Sequence, residues 1–185
     1  MAKAGGAVRK KTALRQWKSE MRNQLGAERQ ISFLLQDWDD AYNVGGLFRT
    51  ADGLGANLLV MTGKTPIPEN PMIGVTSLGA HRRVAWRQFS RHDEAVAWLK
   101  SEGFTLVAVE LADGAISADV YAWPEKVCLI LGNEGAGISP GMLRQADATV
   151  FLPMLGKGRS LNVMVAGSVV GYLARLAPDA APPGS

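Results

Sequence analysis

The chain has 185 residues, 47% hydrophobic and 20% charged, which suits one globular domain with a real core. Its apolar runs fall short of the roughly 20 residues that a membrane helix needs, and no apolar segment follows the basic N-terminus as it does in a secretory signal. The single cysteine, Cys128, excludes an internal disulfide and suits a reducing cytoplasm, while two isolated histidines argue against a zinc site.

Positive charge is concentrated at the start of the chain. Residues 1–30 carry eight basic and two acidic side chains, a net +6, and since the whole chain carries +3, residues 31–185 sum to −3. This asymmetry favours a polyanionic partner, although a solvated tail would have the same composition. From Thr12 to Leu25 we predict a helix whose apolar side docks on the protein's own body. The apolar side consists of Leu14, Trp17, Met21 and Leu25, and the basic side of Arg15, Lys18 and Arg22.

Beyond residue 30, short apolar runs alternate with helical patterns. We predict strands at Ile31–Gln36, Asn57–Met61, Val84–Phe89, Phe104–Glu110, Lys126–Leu131 and Ala148–Leu152. Helices are expected from Asn43 as N-cap to Gly53 or Gly55, in Met72–His81 up to Gly79, at Asp93–Glu102, at Pro140–Gln145 and from Leu161 onward. The alternation predicts an α/β fold, a mostly parallel sheet covered by helices on both faces.

Glycine-rich loops follow two of the predicted strands. Gly132–Ser139 (GNEGAGIS) and Pro153–Asn162 (PMLGKGRSLN) both lie at the carboxyl ends of strands, where ligands bind in such sheets. GNEGAGIS does not have the order of a dinucleotide fingerprint, and a single glycine loop is also compatible with a plain structural connection or with another nucleotide-binding enzyme. The loop Gly63–Pro71 contains three prolines and is a candidate functional loop.

The last helix has two notable sets of residues. Leu161, Val165, Val169 and Leu173 fall four apart on one face. Gly167 and Gly171 are also four apart, and they predict that another part of the protein or a second subunit packs closely there.

Three motifs follow one another along the chain: Asn43 with Arg49, the Gly132–Asn133–Glu134 loop with Gly137 and Ile138, and Pro153–Met154 followed by Ser160–Leu161–Asn162. Together they resemble the SpoU (TrmH-type) branch of the SPOUT superfamily of RNA methyltransferases. The resemblance covers Ile31 to Arg175. It divides the chain into a basic N-terminal arm (1–30), a methyltransferase domain (31–176) and a disordered tail (177–185).

The resemblance implies S-adenosylmethionine-dependent 2′-O-methylation of a ribose in RNA, with tRNA preferred over rRNA because the protein is compact. It also implies a C-terminal trefoil knot, a homodimer packed through the knot region, and no metal. A non-catalytic RNA-binding or assembly protein of the same fold is the alternative. The cofactor pocket carried over from the family is Val109, Glu110, Leu131, Gly132, Leu152, Met154, Ser160 and Leu161. The catalytic candidates are Arg49, Asn43, Glu134, Ser160 and Asn162.

The family assigns removal of the ribose proton to the arginine of the first motif, here Arg49. An arginine stays protonated, with a pKa above about 12, so either Arg49 clamps the neighbouring phosphate or a phosphate relays the proton, and we favour the clamp. Glu134 could pair with Arg49 and aim it, Asn43 could fix the loop, and Ser160 and Asn162 could equally be helix caps.

Two departures from the family pattern concern Met164 and the N-terminus. Met164 stands where the family often has a small residue, so we expect the packing near the site to differ from the family's. Only about 30 residues precede the first strand, so RNA recognition falls to the basic arm, the proline-rich loop, a basic cluster or the second subunit. The candidate RNA contacts are Lys10, Lys11, Arg15, Lys18, Arg22, Arg82 and Arg83, the last two of which would also suit a solvated pair.

Overall fold

The computed structural model describes residues 11–24 and 29–178, with side chains described for 13–21 and 29–178. The helices are α1 (Lys11–Gln24), α2 (Ala41–Leu54), α3 (Pro71–Ser77), α4 (His92–Ser101), α5 (Pro140–Leu143) and α6 (Val163–Leu176), and a 3-10 turn covers Ala80–Arg82. The strands are β1 (Gln30–Gln36), β2 (Leu58–Thr62), β3 (Trp86–Phe89), β4 (Thr105–Val109), β5 (Ile116–Ser117), β6 (Lys126–Leu131) and β7 (Ala148–Phe151).

The strands form one sheet in the order β3-β2-β1-β6-β4-β7-β5, and neighbouring strands are parallel throughout. This confirms the predicted α/β fold. Successive side chains of β1 enter opposite cores because strand residues alternate between the two faces. Phe33 packs with α2 and α6 on one face, and Leu34 packs with α4 and α5 on the other. Cys128 is fully buried on the second face, and this burial raises the pKa of its thiol.

The predicted start of α2 is wrong, and one short strand was not predicted. Asp40, not Asn43, is the N-cap of α2, because its carboxylate accepts the Tyr42 N–H while Asn43 already lies inside the helix. The helix ends at Gly55 in the left-handed conformation. The strand β5 was not predicted, because it has two residues in an irregular stretch and shows no measurable periodicity.

The face by which α6 packs on the protein consists of small residues. A Cβ on Gly167 would lie 2.6 Å from Leu131 Cδ1, and one on Gly171 would lie 2.8 Å from Leu54 Cδ1 and 2.9 Å from Phe33 Cζ. The predicted close approach is therefore correct, and the neighbour is the protein's own sheet and α2. The predicted stripe of four apolar residues is a different face, since Leu161, Val165 and Val169 are 39–41% exposed and only Leu173 packs on the core.

Two buried arginines join the start of β1 to the end of α6. Arg29 donates to the carbonyl oxygens of Ala174 at 2.7 Å and Ala177 at 2.9 Å, and it also reaches those of Pro124 and Pro178. Arg175 donates to the carbonyls of Arg29 at 2.6 Å, Leu54 and Gly55. These guanidinium groups satisfy backbone acceptors that the ends of α2 and α6 would otherwise leave unpaired. Burial and the neighbouring Arg29 lower the pKa of Arg175.

The predicted N-terminal helix is present over Lys11–Gln24. Leu14 and Met21 are partly buried, whereas Trp17 is 37% exposed; Leu25, Lys10 and the tail beyond residue 178 lie outside the described residues. None of the helices in the described part of the chain has the length and apolar character needed to span a membrane.

Candidate active site

A cleft of about 670 Å³ opens at the carboxyl ends of β4, β6 and β7. Its walls are the segment after β4, the glycine loop after β6 and the segment that leads from β7 into α6. Of the predicted cofactor residues, Val109, Glu110, Gly132, Leu152, Met154, Ser160 and Leu161 line it. Leu131 does not, because its side chain is buried beneath the cleft against Gly167 and its carbonyl accepts a hydrogen bond from Trp38 Nε1.

The loop after β6 is shaped so that its backbone forms one wall of the cleft. Gly132 and Gly137 are brought together by the backbone bridge between Asn133 and Gly137. A Cβ on Gly132 would overlap the backbone of Gly137 and Ile138, and Gly137 has φ +69°. Both positions therefore require glycine, the first for space and the second for conformation.

Glu110, at the end of β4, fixes the far side of the same loop. Its carboxylate accepts the N–H of Ile138 at 3.1 Å and that of Leu111 at 3.0 Å. Two of its acceptor positions are thus committed to the backbone, and the remaining lone pairs are available to a ligand in the cleft.

Asn133 and Glu134 connect the loop to the segment between β1 and α2. Asn133 Nδ2 donates to the carbonyl of Asp37 at 2.6 Å and to Asp39 Oδ2 at 2.9 Å. The Glu134 carboxylate accepts the N–H groups of Asp39 at 3.0 Å and Asp40 at 3.2 Å. Lys64 and Asn133 hold the pKa of Asp39 below its usual range, so this segment is anchored by an ionised carboxylate.

One chain of hydrogen bonds then runs through all three motifs. Asn43 Nδ2 donates to Glu134 Oε1 at 3.2 Å, and Asn43 Oδ1 accepts from Asn162 Nδ2 at 3.1 Å. Asn162 Oδ1 accepts the N–H groups of Met164 and Val165, so Asn162 is the N-cap of α6. The carboxylate is an acceptor only, so it fixes the orientation of Asn43, which in turn fixes that of Asn162. Ser160 lines the cleft and does not cap the helix.

Arg49 is not among the residues that line the cleft. It is exposed on α2, and within the described ranges no ion pair or hydrogen bond holds its guanidinium; Glu134, its expected partner, is engaged by Asn43 and the 39–40 backbone instead. The suggested Glu134–Arg49 pair is therefore absent. Arg49 lies close to α6. The next residue of α2, Thr50, forms a 2.7 Å hydrogen bond with Ser168 of α6.

Met164 occupies the space beside a glycine. A Cβ on Gly46 would lie 3.1–3.3 Å from the Cε, Cγ and Sδ atoms of Met164. The larger side chain in α6 is thus accommodated by the missing side chain in α2, and Met164 does not line the cleft.

The candidate RNA contacts have different environments. Arg15 and Lys18 are exposed on α1, and Arg82 is exposed at the end of the 3-10 turn. Arg83 is bound to Asp52 at 2.8 Å, which lowers the pKa of that carboxyl. Lys10 lies outside the described residues, and the side chains of Lys11 and Arg22 are not described.

Asn133, Arg159 and Ala166 also belong to the cleft and were not predicted as site residues. Asn133 could have been identified from its place inside the glycine motif, whereas Ala166 carries no chemical signal in the sequence. Among the described residues, no His, Cys, Asp or Glu side chains are grouped so as to hold a metal ion.

Comparison with known proteins gives consistent matches. The model of the SpoU rRNA Methylase family matches residues 30–172. A tRNA (guanosine(18)-2'-O)-methyltransferase of Escherichia coli K12 is 31% identical over 137 residues, which cover 72% of this chain and 58% of that protein. A 23S rRNA (guanosine(2553)-2'-O)-methyltransferase of Bacillus subtilis is 31% identical over 141 residues, covering 75% and 55%. The chain thus spans little more than half the length of these relatives.

A solved structure gives the same match in three dimensions. The AdoMet-bound rRNA methyltransferase from Sinorhizobium meliloti superposes with a TM-score of 0.75 at 27% identity, over 80% of this chain and 56% of that one.

Proposed function

The chain belongs to the SpoU rRNA Methylase family, and from that premise we propose that it is an S-adenosylmethionine-dependent RNA 2′-O-ribose methyltransferase acting on tRNA. The observation that carries the proposal is the Glu134–Asn43–Asn162 chain, which ties the three motifs to one edge of one cleft. Asn43 is the buried member of this chain, and a protein that had kept only the fold could have an apolar side chain there, since a buried amide is costly unless its partners are present.

The cleft suits the proposed cofactor. Its volume of about 670 Å³ is in the range of small-molecule sites, roughly 300–1,000 Å³. Its backbone wall at Gly132 can bind the adenosine through N–H and C=O groups, and Glu110 and Glu134 place negative charge beside a cationic donor. When bound, S-adenosylmethionine supplies a methyl group activated by its sulfonium.

The chain's own residues must hold the ribose oxygen in line with that methyl group. We assign Asn162 and Ser160 to the cleft edge where the ribose enters, with Asn43 and Glu134 as positioning residues behind them. Arg49 clamps a phosphate next to the target ribose. Its guanidinium stays charged and makes bidentate contacts that suit phosphate, whereas it is a poor acceptor for the ribose proton.

We also propose that the enzyme is a homodimer packed through α6. Val165, Val169, Tyr172 and Leu176 form an apolar stripe on α6 with 39–56% exposure, and Leu161, just before the helix, continues it to the edge of the cleft. An exposed stripe of this size favours a partner. On α6, Ala166 faces the cleft and Ser168 faces α2. Helix geometry places the apolar stripe between these two sides.

The dimer completes the site. The stripe separates Arg49 from the cleft of its own subunit, so a partner packed on the stripe by two-fold symmetry can bring its Arg49 to that cleft. We propose that each site combines the cleft of one subunit with the Arg49 of the other.

We further propose a C-terminal knot, RNA attraction by α1 and a cytoplasmic location. The chain leaves β7 near one edge of the sheet and returns in α6 to contact β1, β6 and α2, a crossing consistent with a C-terminal trefoil knot. The basic α1, with Arg15 and Lys18 exposed, supplies electrostatic attraction to the RNA backbone. The reaction would take place in the cytoplasm, where the free thiol of Cys128 persists.

The test is transfer of tritium from labelled S-adenosylmethionine to bulk tRNA and, separately, to ribosomal RNA. We expect label in the 2′-O-methyl nucleosides of tRNA and at least a 100-fold loss with Arg49→Ala, while calorimetry shows that the variant still binds S-adenosylhomocysteine. Label only in ribosomal RNA would refute the preference for tRNA. A wild type that binds no S-adenosylhomocysteine at millimolar concentration would be the assembly protein of the alternative.

A mixture of two defective variants, assayed at a low S-adenosylmethionine concentration at which neither alone is active, tests the shared site. The Arg49→Ala subunit keeps an intact cleft, and the Gly132→Ala subunit keeps Arg49. If each site combines the cleft of one subunit with the Arg49 of the other, a mixed dimer therefore contains one complete site. We expect co-expression of the two to restore activity. No restoration in a mixed dimer confirmed by mass spectrometry would mean that each subunit uses its own Arg49.

A further inference from the structure

An exposed aromatic side chain lies on the same side of α2 as Arg49. Tyr42 is 48% exposed, in contrast to its neighbours Ala41 and Asn43, which are 9% exposed. Tyr42 and Arg49 are seven residues apart, two helical turns, so their side chains leave α2 in nearly the same direction about 10 Å apart. Between them stand Gly45, packed against α3, and Gly46, packed against Met164, so no side chain of α2 itself lies between Tyr42 and Arg49 on that side.

Tyr42 is held more firmly than an ordinary surface tyrosine. Its N–H donates to Asp40 Oδ1 at 2.7 Å, and its carbonyl accepts from Thr76 Oγ1 at 2.8 Å. Its hydroxyl lies 3.0 Å from Met72 Sδ on α3, so both ends of the residue are fixed. The next residue, Asn43, belongs to the hydrogen-bond chain of the cleft, so the ring is positioned by the same backbone that positions the site.

The surroundings of the Tyr42 ring suit a flat, uncharged group that is part of a negatively charged polymer. Met72 is 43% exposed and Val75 59% exposed, which gives the ring an apolar border on α3. Arg49 supplies the charge on the other side. The distance of about 10 Å between Tyr42 and Arg49 along α2 corresponds to the rise of roughly three stacked nucleotides. Single-stranded RNA is bound by combining phosphate contacts with stacking of its bases on aromatic side chains.

We propose that Tyr42 is a stacking platform for a nucleobase of the substrate RNA, on the same strand as the phosphate that Arg49 clamps. This inference rests on the proposed methyltransferase function and adds a residue that positions the nucleotide. Stacking tolerates any base because every base has a π-face, so Tyr42 contributes affinity and placement and does not select the sequence.

The test compares Tyr42→Phe, which keeps the aromatic face, with Tyr42→Leu and Tyr42→Ala, which remove it. The measurements are the Kd for bulk tRNA, the steady-state kcat and KM for methylation, the Kd for S-adenosylhomocysteine and the dimer mass. We expect the Leu and Ala variants to raise the Kd and KM for tRNA about tenfold, with unchanged cofactor affinity and dimer mass, and Phe to stay within about twofold of wild type.

Three results would overturn the proposal. Equal tRNA affinity in Tyr42→Ala and wild type would mean that no base stacks there. Equal losses in the Phe and Ala variants would assign the effect to the hydroxyl and its contact with Met72. A loss of the dimer in Tyr42→Ala would place the ring in the subunit interface. If wild type itself neither binds nor methylates RNA, it is the proposed function that fails, independently of Tyr42.

Discussion

Replacement of Asn43 by Asp tests the hydrogen-bond chain with the smallest possible change. The new side chain has the same shape, but an oxygen replaces the Nδ2 that donates to Glu134 Oε1 at 3.2 Å. At neutral pH the variant loses a hydrogen bond to a charged group, about 1.5–3 kcal/mol, and adds a partly buried like-charge contact with the Glu134 carboxylate. At about 2–4 °C per kcal/mol for a protein of this size, the melting temperature should fall by about 3–12 °C.

The effect should depend on pH in a definite direction. Glu134 raises the pKa of the new carboxyl in the folded state above its unfolded value, and the protonated form restores a donor toward Glu134. The variant should therefore resemble wild type below about pH 4 and lose stability as the pH rises through the raised pKa. Melting curves of both proteins between pH 4 and pH 8 measure this difference.

Asn70→Asp is the matched control. Asn70 caps α3 with its oxygen, which accepts the Met72 N–H at 3.0 Å, and Asp performs the same role. This control should melt within about 1 °C of wild type at pH 8. An Asn43→Asp protein as stable as wild type at pH 8, or equally destabilised at both ends of the pH range, would refute the assigned orientation of the amide.

Three further substitutions have expected outcomes. Gly171→Val should lower the free energy of unfolding by about 1–3 kcal/mol in urea titrations, because its Cβ would meet Phe33 at 2.9 Å. Gly156→Ala, whose Cβ would meet nothing within 4 Å, should change that free energy little. Arg175→Met should cost about 3–5 kcal/mol by the same measurement, since several buried carbonyls lose their donor. Gly132→Ala should weaken S-adenosylhomocysteine binding at least tenfold by calorimetry, because the loop cannot close.

The strands and the sheet could be predicted from the sequence because the apolar pattern of each strand lies in consecutive residues. The run Lys126–Leu131 was predicted with its observed bounds, since a strand buried on both faces is apolar throughout. The cleft followed from the motifs, because glycine loops at strand ends meet at one edge of a parallel sheet.

Features that depend on which residues meet across the fold could not be predicted. Asn43 resembles a helix cap in sequence, but the preceding Asp40 is better placed and leaves Asn43 free to join Glu134 and Asn162. Likewise a four-residue apolar spacing marks one face of α6, but it does not reveal whether that face meets the sheet or solvent. Here the glycine face meets the sheet, because only it permits the close approach to β1 and β6.

The hydrogen bonds of Arg29 and Arg175 hold the start of β1 close to the end of α6. Arg29 Nη2 reaches the Pro178 carbonyl at 3.2 Å, so a linker of a few residues could join position 178 to position 29. New termini could be opened in the exposed turn at Gly114, where a Cβ would meet no other atom within 4 Å. Such a circular permutant would keep the cleft, but a different segment would have to pass through the proposed knot last during folding. Comparing its refolding rate with that of the original chain would measure how much the proposed knot slows folding.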